Sequence, residues 1–187
     1  MANPTNHVIA IDGPAASGKS SVSRQVAERL GFAFVSSGLM YRAFTWVACE
    51  AGIDPAADPD AVVALLENTD IQPARNGNEI YILVNGSNPG KALTEDRINN
   101  QVSNVAKIPE VRKALVALQR ACPETSDIVM EGRDIGSVVF PNTPYKLYLD
   151  ASEVVRAQRR AAQGLGDEIA ERDRMDSTRK VSPLKVA

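Results

Sequence analysis

The sequence predicts an α/β fold with three layers, in which helices cover both faces of a parallel sheet. Short runs such as 8–11 and 128–130 are apolar throughout, as strands are when both faces of a parallel sheet are buried. Amphipathic helical patterns alternate with these runs, which is typical of strand–helix–strand units. With 187 residues, the chain is long enough for one domain with a single core and a small insertion.

The elements predicted before residue 70 alternate between strand and helix. In the first helix, Val22, Val26 and Leu30 share one face, and Gly31 supplies a C-terminal stop. The predicted strands are 8–11 and 32–35, and the predicted helices are 20–30, 39–51 and 60–67.

The pattern changes over residues 70–121, which we interpret as an inserted small α+β subdomain with a function of its own. Asn76-Gly77 and Asn85-Gly86 separate strand-like runs. Asn-Gly is the strongest short-range indication of a hairpin, because both residues tolerate positive φ. Helices are predicted near 95–106 and 109–121.

Strand–helix alternation resumes in 122–187, which together with 1–69 forms the predicted core. One apolar run ends at Glu131, and another, over 145–149, ends at Asp150. In open parallel sheets the ligand crevice lies at those carboxyl ends. The remaining predictions are a helix over 152–162 with Ser152 as N-cap, a charged helix over 167–180 and a short lid near 160–172.

Composition and charge exclude several classes of function. The net charge is −2, so no global basic field attracts the chain to nucleic acid or to a membrane surface. The single histidine, His7, and two distant cysteines, Cys49 and Cys122, argue against a Ser-His-Asp triad and a zinc site. No secretory leader or membrane-length apolar run is recognisable, so we expect a soluble cytoplasmic protein without nucleic-acid or membrane partners.

A glycine-rich loop follows the first strand and matches G-x-x-x-x-G-K-[ST], the phosphate-binding loop or P-loop. Its small residues let backbone N–H groups approach phosphate, and the following helix N-terminus adds partial positive charge. Lys19 can reach the β- and γ-phosphates, and the Ser20 hydroxyl can bind Mg²⁺. The sequence therefore predicts a nucleoside triphosphate site formed by Gly13, Pro14, Ala15, Ala16, Ser17, Gly18, Lys19, Ser20 and Ser21.

The arginines indicate where the γ-phosphoryl group goes. The N-K-x-D motif of most GTPases is absent from the sequence, and a motor ATPase needs a longer chain. Arg42 follows the strand predicted over 32–35, and Arg133 and Asp134 follow the apolar run over 128–130. Guanidinium groups bind phosphate through a planar fork, and phosphoryl transfer depends mostly on positioning and charge stabilisation. A small-molecule kinase therefore fits best, since a phosphate oxyanion as acceptor requires no histidine base.

Two further arginine groups lie in the C-terminal helices. Arg172, Asp176 and Arg179 fall at i, i+4 and i+7, on one face of the helix over 167–180. A charged helix is also typical of a solvated surface, so both interpretations stand for this helix. The second group, on the preceding helix, is Arg156, Arg159 and Arg160.

Taken in order, seven motifs resemble those of bacterial cytidylate kinases, which are P-loop kinases of the nucleoside-monophosphate (NMP) kinase group. The resemblance implies a P-loop core, an NMP-binding insertion and a mobile lid. It also implies transfer of the ATP γ-phosphoryl group to CMP or dCMP, with Mg²⁺, to give ADP and CDP or dCDP. The motifs, which cover nearly the whole chain, are IDGPAASGKSS, SSGLMYR, the Asn-Gly hairpin insertion, VRKALVALQR, EGRDIGSVVFP, KLYLDAS and ERDRMDSTR.

The resemblance also implies roles for individual residues. Ser103, Arg112 and Asp134 would meet the cytosine, and Asp176 and Arg172 would meet the sugar hydroxyls. The groups assigned to the CMP phosphate are Ser37, Arg42, Arg133 and Arg179, and Tyr41 is assigned to the same substrate. Arg156, Arg159 and Arg160 would close over the transferring phosphoryl group. The implied catalytic set is Lys19, Arg133, Arg156, Arg160 and Arg179.

The chain departs from the family pattern at three places. Ser36 stands where the family commonly has Asp, which leaves the role of that carboxylate open. The segment between Arg160 and Arg172 is much shorter than the usual lid. The family continues beyond SPLKVA with a strand and a helix, so we expect the fifth strand of the core sheet to be missing and an apolar edge to be exposed.

Two alternatives remain open at this point. One is another small P-loop kinase, acting on UMP, AMP or shikimate, which the hairpin insertion disfavours. The other is a nucleotide-binding module without catalytic activity. For either kind of protein, and for a cytidylate kinase, we expect a monomer.

Overall fold

The computed structural model describes residues 6–162, 169–178 and 181–187, with the backbone alone for 169–172. The strands are β1 (Val8–Asp12), β2 (Ala33–Ser36), β3 (Ile71–Asn76), β4 (Glu79–Val84), β5 (Ile128–Gly132) and β6 (Tyr145–Tyr148). They form one sheet in the order β3-β4-β2-β5-β1-β6. The β2-β5, β5-β1 and β1-β6 pairs are all parallel, which confirms the predicted parallel sheet.

The predicted helices are all present, but the one predicted over 60–67 is an α-helix followed by a 3₁₀ turn over Leu65–Asn68. Both ends of the helix predicted over 167–180, and residues 163–168 of the lid predicted near 160–172, lie outside the described residues. A π-helical turn over Ile135–Val139 follows β5 and was not predicted. Within the described ranges, no helix is both long enough and apolar enough to cross a membrane. The helices are α1 (Lys19–Leu30), α2 (Ser37–Glu50), α3 (Pro59–Ala64), α4 (Asp96–Ala106), α5 (Pro109–Ala121), α6 (Glu153–Ala162) and α7 (Ile169–Thr178).

Two apolar clusters lie on opposite faces of the sheet, because alternate residues of a strand point to opposite sides. Val35 and Met130 belong to the larger cluster, which also contains Phe44 of α2. Their neighbours Phe34 and Val129 belong to the smaller cluster, with Ala27 of α1. The sheet therefore lies between two helical layers, as predicted.

The prediction for the buried face of α1 was wrong. Val22 and Leu30 are 40% and 51% exposed, whereas Ser23 and Ala27 are completely buried. Small side chains let the helix lie close to β2 and β5, so the face that contacts the sheet is the small one rather than the most apolar one.

The first Asn-Gly pair forms the predicted hairpin between β3 and β4, with Gly77 at φ +58°. The hairpin is also joined to the core sheet, because Phe34 of β2 pairs in parallel with Glu79. Asn85-Gly86 forms a tight turn closed by two hydrogen bonds between Val84 and Ser87. The division into core and insertion stays a prediction.

Strand β6 lies at the edge of the sheet, beyond β1. Tyr145 and Leu147 are 49% and 55% exposed. In the described part of the chain no strand pairs with β6 on its outer side.

Candidate active site

One large cleft opens at the carboxyl ends of the parallel strands, where the sequence predicts a ligand crevice. Its volume is about 1080 Å³. Among the predicted site residues, those that line it are Ala15, Ala16, Ser17, Gly18, Lys19, Ser20, Ser21, Ser37, Tyr41, Arg42, Ser103, Arg112, Arg133, Asp134, Arg159, Arg160 and Asp176. The cleft thus brings together residues from most of the predicted motifs.

Some predicted site residues are not among those that line the cleft. Gly13 and Pro14 are buried at the base of the phosphate loop, and Arg156 lies behind it. The side chain of Arg172 and all of Arg179 lie outside the described residues. The roles predicted for Arg172 and Arg179 stay predictions.

The phosphate loop is held tightly against the sheet. At Gly13, with φ +152°, an added Cβ would lie 2.0 Å from the carbonyl oxygen of Leu149, so no larger residue fits. Lys19 is 4% exposed, and its Nζ donates to the carbonyl oxygen of Pro14 at 2.7 Å. Burial, and next the charge of Arg133, lower the pKa of Lys19 to about 7.

Glu131 is a site residue that the sequence analysis did not assign. This side chain lies at the end of β5, and its Oε1 accepts hydrogen bonds from the hydroxyls of Ser20 at 3.1 Å and Ser36 at 2.6 Å. Its backbone carbonyl accepts from the Ser37 hydroxyl at 2.9 Å. One carboxylate thereby connects the phosphate loop with the end of β2. The available indication in the sequence was a charged residue closing an otherwise apolar strand.

Asp12 is a second residue that was missed, although it precedes the phosphate loop. It is 1% exposed, and its two oxygens accept from the backbone N–H groups of Ile135 and Gly136, each at 2.8 Å. Burial raises the pKa of the Asp12 carboxyl, and the two N–H groups partly oppose that rise.

Arg112 and Asp134 form a buried ion pair at one end of the cleft, with side chains that are 2% and 7% exposed. Arg112 also donates from Nη1 to the carbonyl oxygen of Ala106 at 3.1 Å, and its guanidinium lies 5.4 Å from the centre of the Tyr41 ring. Ser103 also lines the cleft. Held side by side, the Asp134 carboxylate can accept a hydrogen bond from a ligand and the Arg112 guanidinium can donate hydrogen bonds to it.

Arg133, next to Asp134 in the chain, pairs instead with Asp176 of α7, with Nε and Oδ2 2.7 Å apart. Burial is the largest single influence and alone would lower the pKa of Arg133, but the carboxylates of Asp176, Glu131 and Asp173 together outweigh it and the pKa is raised. Arg42 donates to the carbonyl oxygen of Leu93 at 2.9 Å. These guanidinium groups make the cleft a favourable place for phosphate.

The arginines of α6 lie around the phosphate loop. Arg159 donates from Nη1 to the carbonyl oxygens of Ala16 at 3.2 Å and Ser17 at 2.9 Å. Arg156 is buried, pairs with Asp173 of α7, and reaches the carbonyl oxygen of Ala15 at 3.3 Å. Helix α6 is therefore attached to the loop that would hold a triphosphate.

Comparison with known proteins supports the same chemistry. The family model described as "Cytidylate kinase" matches residues 9–187. A cytidylate kinase of Geobacillus kaustophilus is 43% identical over an alignment of 190 positions, which covers 96% of this chain and 84% of that protein. The cytidylate kinase of Bacillus subtilis is 41% identical with the same coverage. A bifunctional pantoate ligase/cytidylate kinase of Synechococcus elongatus is 42% identical over 95% of this chain and 36% of its own length.

These matches confirm the resemblance stated from the motifs, and they extend over the phosphate loop, the hairpin and the segment after β5. The alternatives, a UMP, AMP or shikimate kinase and a module without activity, are not favoured. The chain belongs to the cytidylate kinase family and is an ATP-dependent nucleoside monophosphate kinase that phosphorylates CMP or dCMP.

Proposed function

We propose that the cleft holds both nucleotides of this reaction end to end, with ATP on the phosphate loop and CMP or dCMP against α2, α4 and the segment after β5. The observation that carries the proposal is that Lys19 and the Arg112–Asp134 pair line one continuous cleft. Two polyanions can meet there because guanidinium groups from separate segments offset their mutual repulsion.

Base recognition is assigned to Asp134, Arg112 and Ser103. Cytosine offers an amino donor at N4 and acceptors at N3 and O2, so Asp134 can accept from N4 while Arg112 donates to the acceptors. Uracil has an oxygen in place of the N4 amino group and would present an acceptor to the carboxylate. Leaving a buried polar group unpaired costs about 1–3 kcal/mol, which is enough to discriminate between the two bases.

The rest of the acceptor nucleotide is assigned to residues on three segments. Asp176, with Arg172, would bind the sugar hydroxyls, and Tyr41 would pack beside the nucleotide. The CMP phosphate would be held by Ser37, Arg42, Arg133 and Arg179. The Arg133–Asp176 pair supports this arrangement, because it brings a phosphate-binding group and a hydroxyl-binding group next to each other.

A magnesium ion fits the floor of the cleft. The Ser20 and Ser36 hydroxyls and the Glu131 carboxylate are hard oxygen donors gathered at one point. Among the described residues no cluster of three His, Cys, Asp or Glu side chains could hold a metal alone, which suits an ion that takes other ligands from phosphate and water. Mg²⁺ would neutralise charge on the β- and γ-phosphates.

The transfer itself requires little covalent chemistry from the protein. An oxygen of the CMP phosphate attacks the γ-phosphorus, the bond to the β–γ bridging oxygen breaks, and ADP leaves. Lys19 would bind the β- and γ-phosphates, and Arg133 and Arg160 would stabilise charge on the moving group, with Arg156 and Arg179 assigned to the same task. Arg156 would contribute to this task indirectly, because its contacts are with the phosphate loop and α7.

An acceptor survey tests the proposal directly. The protein is incubated with ATP, Mg²⁺ and one acceptor at a time, CMP, dCMP, UMP, AMP or shikimate, and ADP release is measured. We expect CMP and dCMP to be the preferred acceptors. If UMP or AMP is clearly faster than CMP, the base-recognition assignments are wrong.

We also propose a monomer acting in the cytoplasm, which sedimentation and cell fractionation can test.

A further inference from the structure

We propose that Asp12 is a positioning residue for the acceptor nucleotide: from the end of β1 its carboxylate holds in place the segment that carries Arg133 and Asp134. The inference rests on the proposed roles of those two residues in CMP binding. It assigns to Asp12 an effect on the neighbouring nucleotide rather than on the triphosphate whose loop it precedes.

The hydrogen bonds of Asp12 are those of a helix cap supplied from another strand. The first N–H groups of a helical turn have no partner within the turn. In the turn over Ile135–Val139, the first two of these groups donate to the two carboxylate oxygens of Asp12, one to each. Because Asp12 and Ile135 are buried, loss of either bond would leave a buried N–H group without its partner.

This cap fixes the residue immediately before the turn. The carbonyl oxygen of Asp134 accepts from the N–H groups of Val138 and Val139, at 2.9 and 3.1 Å. With its following peptide unit held by Asp12 as well, the backbone of Asp134 has little freedom. Its side chain is thereby held toward Arg112, and that of Arg133 toward Asp176.

The chemistry of the side chain explains why an acidic residue is needed here. Two N–H groups converge on it, and only a carboxylate of this size offers two acceptor oxygens and no donor. Asparagine has nearly the same shape but would point an amide N–H at one of the two backbone N–H groups. Asp12→Asn therefore breaks one bond of the cap with minimal change in volume.

The test compares Asp12→Asn with a matched control, Asp127→Asn, in the full chain with ATP, Mg²⁺ and CMP or UMP. Asp127 also accepts a backbone N–H, that of His7 at 2.5 Å, but before the start of β5, at the other end of the sheet. For Asp12→Asn we expect the KM for CMP to rise about 10- to 100-fold, as expected when a buried donor loses its acceptor. We expect the KM for ATP to change by less than about 3-fold, and the preference for CMP over UMP to fall. Asp127→Asn should leave all three quantities unchanged.

Two results would overturn the inference: equal rises in the KM for CMP and ATP, or an unchanged preference for CMP over UMP. Asp134→Ala, measured in parallel, separates this failure from failure of the proposed function. If Asp134→Ala impairs CMP selectively and Asp12→Asn does not, only the role of Asp12 is wrong. If neither variant does so, the proposed base site is wrong as well.

Amide hydrogen exchange on the unmodified protein provides a test that needs no variant. If Asp12 holds in place the segment that carries Arg133 and Asp134, the N–H groups of Ile135 and Gly136 should exchange slowly in the free protein. Adding CMP without ATP should slow them further, because the ligand stabilises the same arrangement. Rapid exchange of these two groups in the presence of CMP would contradict the inference.

Discussion

Ser36 and Glu131 are register partners on the adjacent parallel strands β2 and β5, and the Ser36 hydroxyl donates to Oε1 of Glu131 at 2.6 Å. The same oxygen accepts from Ser20 of the phosphate loop. The residue at position 36, where the family commonly has Asp, is thus a hydroxyl donor to a carboxylate on the neighbouring strand. An acidic group therefore still lies beside this position in the present chain.

We predict that Glu131→Ala lowers kcat by about 10- to 100-fold, the usual effect of removing a group that orients metal-binding residues. The double variant Glu131→Ala/Ser36→Asp should recover part of this loss, since it restores a carboxylate at the register partner. Steady-state ADP release at saturating ATP and CMP measures both. A double variant no more active than Glu131→Ala would show that the position of the carboxylate matters as much as its charge.

A second prediction concerns the buried pair of Arg112 and Asp134. Asp134→Ala leaves the Arg112 guanidinium, 2% exposed, without its carboxylate. Breaking a buried ion pair from one side costs about 3–5 kcal/mol of stability. Because Asp134 is also assigned to the cytosine, the Kd for CMP should rise far more than the Kd for ATP.

Chemical denaturation and calorimetric titration with each nucleotide measure the two effects. Glu50→Ala is the matched control, since it removes the carboxylate of a solvent-exposed pair with Arg97. Exposed pairs contribute little to stability. The assignment of Asp134 fails if Asp134→Ala weakens ATP and CMP binding equally.

The sequence predicted those parts of the molecule that depend on local patterns. Apolar runs, the glycine-rich loop and the Asn-Gly turn each carry their meaning within a few residues. The ligand crevice followed as well, because it lies where parallel strands end. The buried face of α1 could not be predicted in this way. An apolar pattern does not show that the small residues Ser23 and Ala27 allow the helix to approach the sheet more closely.

The roles of Asp12 and Glu131 could not be predicted for a different reason. Asp12 accepts from a residue 123 positions later, and Glu131 accepts from a hydroxyl 95 positions earlier. Nothing local distinguishes a capping carboxylate from a ligand at the end of a buried strand. Only the strand order, which places β5 between β1 and β2, brings these partners together.

A third prediction uses two glycines that share a positive φ but differ in their surroundings. At Gly13 an added Cβ would collide with the Leu149 carbonyl, whereas at Gly31, with φ +69°, nothing lies within 4 Å. Gly31→Ala should therefore lower the free energy of unfolding only by the cost of holding alanine in a left-handed conformation, about 1–2 kcal/mol. Gly13→Ala should be more damaging, and it should raise the KM for ATP by displacing the phosphate loop from Leu149, the residue after β6.

Thermal unfolding and steady-state kinetics on the two variants provide the comparison. Gly31→Ala adds the same methyl group at the end of α1, at a positive φ but with no atom in its way. Equal losses of stability and equal KM values for ATP in the two variants would show that the Leu149 contact has no role in holding the loop.

The last prediction follows from the lowered pKa of Lys19. With a pKa of about 7, the Lys19 amine is mostly uncharged in the free protein at about pH 8, although an ordinary lysine is charged there. Triphosphate oxygens favour the ammonium form, so binding of ATP raises the pKa of Lys19 and the protein takes up a proton.

Calorimetric titration with ATP at about pH 8, in two buffers of different ionisation enthalpy, should show uptake approaching one proton per ATP. In Lys19→Arg the guanidinium is charged at every pH of interest, so this uptake should be lost even where ATP still binds. Equal proton uptake in the variant and the unmodified protein would mean that the proton comes from another group, and that Lys19 already carries its charge before ATP arrives.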